Sequence, residues 1–130
     1  MSYSLQGVGH GLGKVAALFF IILTPLTCLA TDVEEGRILF VTYCESCHGT
    51  NGDGNGPAAA EFALKPRDFA LAAFKFDTDA DWQRGTDHDL TNVIKEGAAV
   101  FGGSSLMPMW GQLNDDEIKQ LIVYIRSLQK

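Results

Sequence analysis

Cys44, Cys47 and His48 stand as C-x-x-C-H within the stretch TYCESCHGTNGDGNGP, residues 42–57. No other feature constrains the fold so strongly, because two thiols and an imidazole this close together must serve one site. As a structural disulfide, Cys44 and Cys47 would close a tiny loop and remove little entropy from the unfolded chain. The pair therefore reads as chemical rather than structural.

The first 30 residues differ from the rest of the 130-residue chain. MSYSLQGVGHGLGK carries Lys14 and no acid, VAALFFIIL is an unbroken apolar run, and TPLTCLA ends with small residues at Cys28 and Ala30. A basic start, a short apolar run and a small-x-small end predict a secretory signal peptide over 1–30, cut after Ala30. The alternative is an uncleaved N-terminal anchor. The run falls short of the roughly 20 residues that span a membrane, so no stable membrane insertion is expected after cleavage. A lipoprotein signal at Cys28 is disfavoured because Thr27 precedes it.

Residues 31–130 then form the working domain. They carry all 16 acidic residues and 9 of the 10 Lys and Arg, a formal charge of −7. That balance excludes a nucleic-acid binder, which needs a basic footprint. It suits a soluble domain whose partners offer positive patches.

Hydrophobic periodicity predicts an all-α domain of three to five helices. Thr31 with Glu34 three residues on reads as a capping box. Val33, Gly36, Phe40 and Tyr43 recur at helical spacing, so a first helix over about 32–44 delivers the cysteine motif at its C-terminal end. GTNGDGNGP is turn chemistry. Its glycines lack dinucleotide-site spacing, and the EF-hand-like start has Phe62 where the bidentate Glu belongs. A short helix is expected over 58–64. A further one, capped by Thr86 and ended by Gly97, carries Leu90, Val93 and Ile94 on one face. A glycine- and proline-bearing loop follows. The last helix opens with Asn114 and Glu117 and shows an apolar stripe of Ile118, Leu121, Ile122, Ile125 and Leu128.

Three chemistries compete for the motif. A closed zinc site needs four ligands, and the motif supplies three, two of them adjacent. A dithiol redox pair usually opens a helix near a βαβ unit, whereas this one closes a helix and no strand is apparent. C-x-x-C-H is also the attachment signature of c-type haem, with the imidazole brought under the iron. The iron's second axial position calls for a soft sulfur or another imidazole. Met107 and Met109, flanking Pro108 in the glycine-bearing loop, are candidates.

At this point the sequence resembles the class I, bacterial-type monohaem c-type cytochromes, over essentially all of 31–130. The likeness rests on the first helix ending in CESCHG, on GDGNGPAAA, KPRDF and DLTNVIKEG, and on LMPMW before a helix ending LIVYIRSL. It implies a small all-α cytochrome c fold wrapped around one haem. Cys44 and Cys47 would carry thioethers, and His48 and Met107 would be the axial iron ligands, with Met109 as the alternative to Met107. Pro57 would supply the carbonyl that steadies the imidazole. Trp110 could pack at the haem edge or near a propionate, with plain core packing as the alternative. Arg67 could meet a propionate, with surface solvation as the alternative. Gly36 and Phe40 would sit where the first helix crosses the last, against Leu121 and Tyr124.

Iron with both axial positions filled passes electrons and has no place for substrate. The resemblance thus implies a periplasmic one-electron carrier rather than an enzyme. It would exchange electrons with redox proteins through small, charge-steered interfaces, presenting an acidic rim to basic or apolar docking surfaces. The alternatives are a tightly held haem c subunit of a larger oxidoreductase complex, or a haem enzyme or sensor whose Met ligand dissociates.

Overall fold

The structure, a computed structural model, describes the backbone of residues 26–130 and the side chains of 31–130. The expected leader lies outside the described residues except for 26–30. Four α-helices occur among these residues: α1 (Leu26–Tyr43), α2 (Glu45–His48), α3 (Asp87–Glu96) and α4 (Asp115–Ser127). Two single 3-10 turns, Ala59–Glu61 and Ala99–Phe101, interrupt the long connections. The chain is all-α, with no strand among the described residues.

α1 runs through the position expected to cap it. Thr31 lies inside the helix, because Leu26–Ala30 contains no Gly or Pro that would stop it. The helix expected over 58–64 contracts to the turn Ala59–Glu61. The predicted ends of the other two long helices agree with the backbone. At α3 the Thr86 hydroxyl accepts from the Asp89 amide (3.1 Å) while the Asp89 carboxylate accepts from the Thr86 amide (2.9 Å). At α4 Asn114 and Glu117 make the same reciprocal pair, at 3.0 and 2.8 Å. Each box satisfies amides that the first helical turn leaves without partners.

The core is the crossing of α1 over α4. Phe40 and Leu121 are wholly buried, Ile118 nearly so, and the Phe40 ring lies 5.2 Å from that of Tyr124. Gly36 is the reason the two helices approach so closely. A Cβ there would overlap the Gln120 carbonyl and stand 2.9 Å from the Cβ of Tyr124. Backbone cannot swing aside as a side chain can, so any larger residue forces the helices apart. α3 packs on α4 through Leu90, Val93 and Ile94. None of the helices among the described residues is long and apolar enough to cross a membrane.

Gly36→Ala should therefore cost about 3 kcal/mol or more in stability, at the upper end of overpacking penalties. Urea unfolding of the holoprotein, followed by circular dichroism, measures it. A loss below about 0.5 kcal/mol, the range of neutral surface changes, would show that the crossing can relax.

Candidate functional site

The cysteine motif begins where α1 ends. The Cys44 carbonyl accepts from the amides of Cys47 (3.2 Å) and His48 (2.9 Å), making the single turn of α2. A helix this short has carbonyls without intrahelical partners. The glycine-rich loop supplies their donors as it folds back. Gly54 N–H bonds to the His48 carbonyl (2.8 Å), Gly56 N–H to Cys47 (3.2 Å) and Ala58 N–H to Ser46 (2.9 Å). Asp53, part of the EF-hand-like pattern, spends its carboxylate on the Asn55 backbone and side chain, 3.0 Å to each.

The KPRDF segment closes over the imidazole. Phe69 N–H donates to the Gly52 carbonyl (2.7 Å), and the Arg67 carbonyl meets His48 Nδ1 at 3.2 Å. A carbonyl can only accept, so Nδ1 carries the proton and Nε2 keeps its lone pair. Burial lowers the His48 pKa, against the opposing effect of the Arg67 bond, which favours the neutral ring that metal ligation requires. Pro57, expected to provide this carbonyl, is exposed and does not line the site. Arg67 rather than Pro57 supplies the carbonyl that meets Nδ1.

A cavity lies between the motif, α3, α4 and the loop before α4. Cys44, Cys47, His48, Met107 and Trp110 all line it, with apolar walls that include Leu90, Ile94, Leu121 and Ile125. Met109 does not line it and is 68 % exposed. Gly97 ends α3 at φ +78° and lets the MPM segment pass close by, with the Met107 carbonyl 3.0 Å from where a Cβ would stand. Trp110 is pinned by its amide bond to the Ile94 carbonyl (2.9 Å), and its ring lies 4.9 Å from Tyr43. His88 is exposed and outside the lining, and Trp82 is 93 % exposed.

Burial, reinforced by the neighbouring Cys47, pushes the Cys44 thiol up to about 12. A thiol held so firmly protonated is poorly suited to dithiol exchange. The charged side chains lining the cavity correct one expectation. Lys65, Arg67 and Lys75 stand there, and the lone acid, Asp89, is buried. The charged side chains that line the cavity are thus mostly basic although the chain as a whole is acidic.

Sequence reasoning missed Phe69, Phe74 and Asp89. Phe69 stacks on the His48 ring, with centroids 4.5 Å apart and planes at 16°. Asp89 is 1 % exposed and accepts from the Thr78 amide (2.5 Å) and hydroxyl (2.8 Å) besides Thr86. It ties the loop after Phe76 to α3 beneath the cavity. Burial raises its pKa, but the bonds from Thr78 and Thr86 outweigh this and hold it at about 2. Only the Thr86-x-x-Asp89 spacing was a signal, since Thr78 is brought in by the tertiary fold. Asp77 and Asp79 lie close to Asp89. However, both Asp89 oxygens are already engaged, and Asp77 accepts from the amides of Asp81 and Trp82.

Two thiols, a neutral imidazole with Nε2 available, a thioether sulfur and apolar walls in one cavity fit a haem. This fold and this donor set define a class I c-type cytochrome domain. Comparison with known proteins makes the assignment particular. Residues 31–125 match the family described as "Cytochrome C oxidase, cbb3-type, subunit III". The cbb3-type cytochrome c oxidase subunit FixP of Bradyrhizobium diazoefficiens is 32 % identical over 99 residues, covering 75 % of this chain and 28 % of that protein. FixP of Rhizobium meliloti is 31 % identical, covering 86 % of this chain and 33 % of that one. A solved structure, the Kuenenia stuttgartiensis reducing HAO-like protein complex Kustc0457/Kustc0458, is similar with a TM-score of 0.63 and 31 % identity, over 74 % of this chain and 42 % of that one. The chain belongs to the cbb3-type subunit III cytochrome family, whose prosthetic group is haem c. Its matched region spans about a third of the length of these curated relatives.

The Asp89 carboxylate has a definite pH signature. Its folded pKa is depressed from 3.8 to about 2, so its contribution is complete above pH 4 and is lost as pH falls toward 2. Asp89→Asn should lower stability at pH 7 by about 2–3 kcal/mol, following 1.36 kcal/mol per pKa unit. The gap between wild type and variant should narrow as pH drops through that window. Denaturant titrations at pH 7, 4 and 2.5 measure it; a gap independent of pH would assign the loss to packing instead.

Proposed function

We propose that this chain is a one-electron transfer domain that holds one haem c and works outside the cytoplasm as a subunit of a larger redox complex. The observation that carries it is the convergence of Cys44, Cys47, His48 and Met107 on one apolar cavity. When bound, the haem supplies a one-electron ferric/ferrous couple. Cys44 and Cys47 would tether it through thioethers. His48 would offer Nε2 to the iron, held in that tautomer by the Arg67 carbonyl. Met107 would offer its sulfur as a second iron ligand, and a thioether there would favour ferrous iron and raise the potential relative to a second imidazole. The apolar walls exclude water and act in the same direction. With His48 and Met107 both holding the iron, no position would remain for substrate, so the domain would relay electrons and leave substrate chemistry to its partners.

The placement in a complex, rather than as a freely diffusing carrier, is supported by the nature of the relatives. They are subunits of cbb3-type oxidases, and the solved structure is a multi-protein complex. Isolation under mild detergent of the tagged protein from its native cells tests this. A haem-staining band co-migrating with a stoichiometric redox partner supports the complex, whereas a monomeric haem protein restores the free carrier. Lys65 and Lys75 at the rim suit acidic or apolar docking surfaces on a partner and remove the ground for expecting basic ones.

Absorption spectra of the exported, haem-matured protein test the ligand set. Met107→Ala should abolish the weak far-red band of Met–iron ligation in the oxidised protein, and Met109→Ala should retain it. The reverse pattern would transfer the role to Met109.

Oxidation of the reduced protein by ferricyanide, an anionic probe, tests the sign of the rim. At low ionic strength Lys65→Glu or Lys75→Glu should slow the second-order rate several-fold more than Lys119→Glu, which makes the same charge change outside the cavity. Equal slowing by all three would mean that net charge, not the local rim, governs approach.

A further inference from the structure

The hydrogen bond on His48 does not by itself fix the plane of the imidazole. At 3.2 Å it is long for an N–H···O bond, whose usual length is about 2.9–3.0 Å. A single acceptor also leaves the ring free to tilt about the Nδ1–oxygen axis. Something else must hold the plane, and the ring lies face to face with Phe69 at 4.5 Å and 16°.

Phe69 is itself held from several directions. Its amide is bound to the Gly52 carbonyl, and its ring meets the buried Phe40 edge-on at 6.1 Å and 71°. The Phe74 ring lies 6.2 Å away, inclined by only 27°. The Arg126 guanidinium sits 5.2 Å from the centre of the Phe74 ring, a cation–π distance. Arg126 is anchored in turn by the Asp87 carboxylate (2.7 and 2.9 Å) and the Gly85 carbonyl (2.7 Å). A connected series of flat groups thus runs from a half-exposed arginine on α4 to the imidazole on α2.

We propose that Phe69, backed by Phe74 and clamped through Arg126, is the positioning residue that sets the plane of the His48 imidazole. The proposal rests on His48 being an axial haem ligand. The imidazole plane governs how the ligand's π orbital overlaps the iron d orbitals, so it governs the magnetic anisotropy of the ferric centre and contributes to its potential. Phe69 acts on the imidazole through its stacked ring. The clamp on Phe74 gives α4 and the start of α3 an influence on a ligand carried by α2.

The test uses the haem-loaded protein. The readouts are the ferric haem-methyl proton shifts and the electron paramagnetic resonance anisotropy, both of which report the orientation of the axial imidazole. Phe69→Leu keeps apolar bulk but removes the flat face. It should alter the order or spread of the methyl shifts and shift the reduction potential, while the far-red Met band persists. Phe69→Tyr retains the plate and should restore the wild-type pattern. Arg126→Gln should change the spectra in the same direction by a smaller amount.

An unchanged pattern in Phe69→Leu overturns the proposal and leaves the Arg67 carbonyl in sole control. A change in Phe69→Tyr as large as that in Phe69→Leu also overturns it, since bulk rather than the flat face would be responsible. If Phe69→Leu does not mature with haem, an unchanged Arg126→Gln spectrum decides against the proposal. A wild-type protein without low-spin, histidine-ligated haem would instead defeat the underlying ligand assignment, an outcome read before any variant is made.

Discussion

The contact between Gly36 on α1 and the backbone of Gln120 on α4 sets the geometry on which the site depends. With no side chain between them, the two helices meet closely enough for Phe40 to be sealed against Tyr124 and for Leu121 to be wholly buried. α1 then ends at a fixed height beside α4. The motif that follows is aimed at the space between α4 and α3 rather than at solvent. The glycine-rich loop makes that aim firm by donating to the carbonyls of α2 as it returns.

The cavity that results is a gap in the core. Its walls are the same side chains that form the hydrophobic cluster, including Phe69, Leu90, Ile94, Leu121 and Ile125. A domain of this size has little apolar area to spare, so a flat apolar group bound there would complete the interior as well as supply the chemistry. The two connections flanking α3 carry little regular structure of their own. They are held by local devices instead: Asp89 gathering Thr78 and Thr86, Gly97 admitting the Met107 segment, and the Ile94 carbonyl holding Trp110.

Much of this was legible in the sequence because the relevant signals are local. Thr86 and the Asn114–Glu117 pair mark helix starts, since a capping side chain reaches only a few residues along the chain. The apolar stripe of α4 identified its buried face, while the crossing at Gly36 came from the resemblance to class I cytochromes. Other local signals were overridden. The Thr31–Glu34 pattern would have capped a helix, but α1 continues through it from Leu26. Pro57 stood at a plausible distance along the chain, yet the imidazole's acceptor came from Arg67. An acidic composition suggested an acidic rim, but composition carries no information about which face each charge occupies.

The sequence by itself determined the chemistry available: two thiols and an imidazole locked into one turn, methionines held in reserve near the other end, and helices whose periods and caps are set within a few residues. Tertiary structure alone decided which methionine faces inward, which carbonyl holds the imidazole, which ring lies against it and which charges line the cavity. The division has a physical cause. Spacing along the chain restricts groups joined by a few covalent bonds. Contacts such as Phe69 on His48 or Met107 at Gly97 join distant segments, and their geometry exists only once the helices have packed.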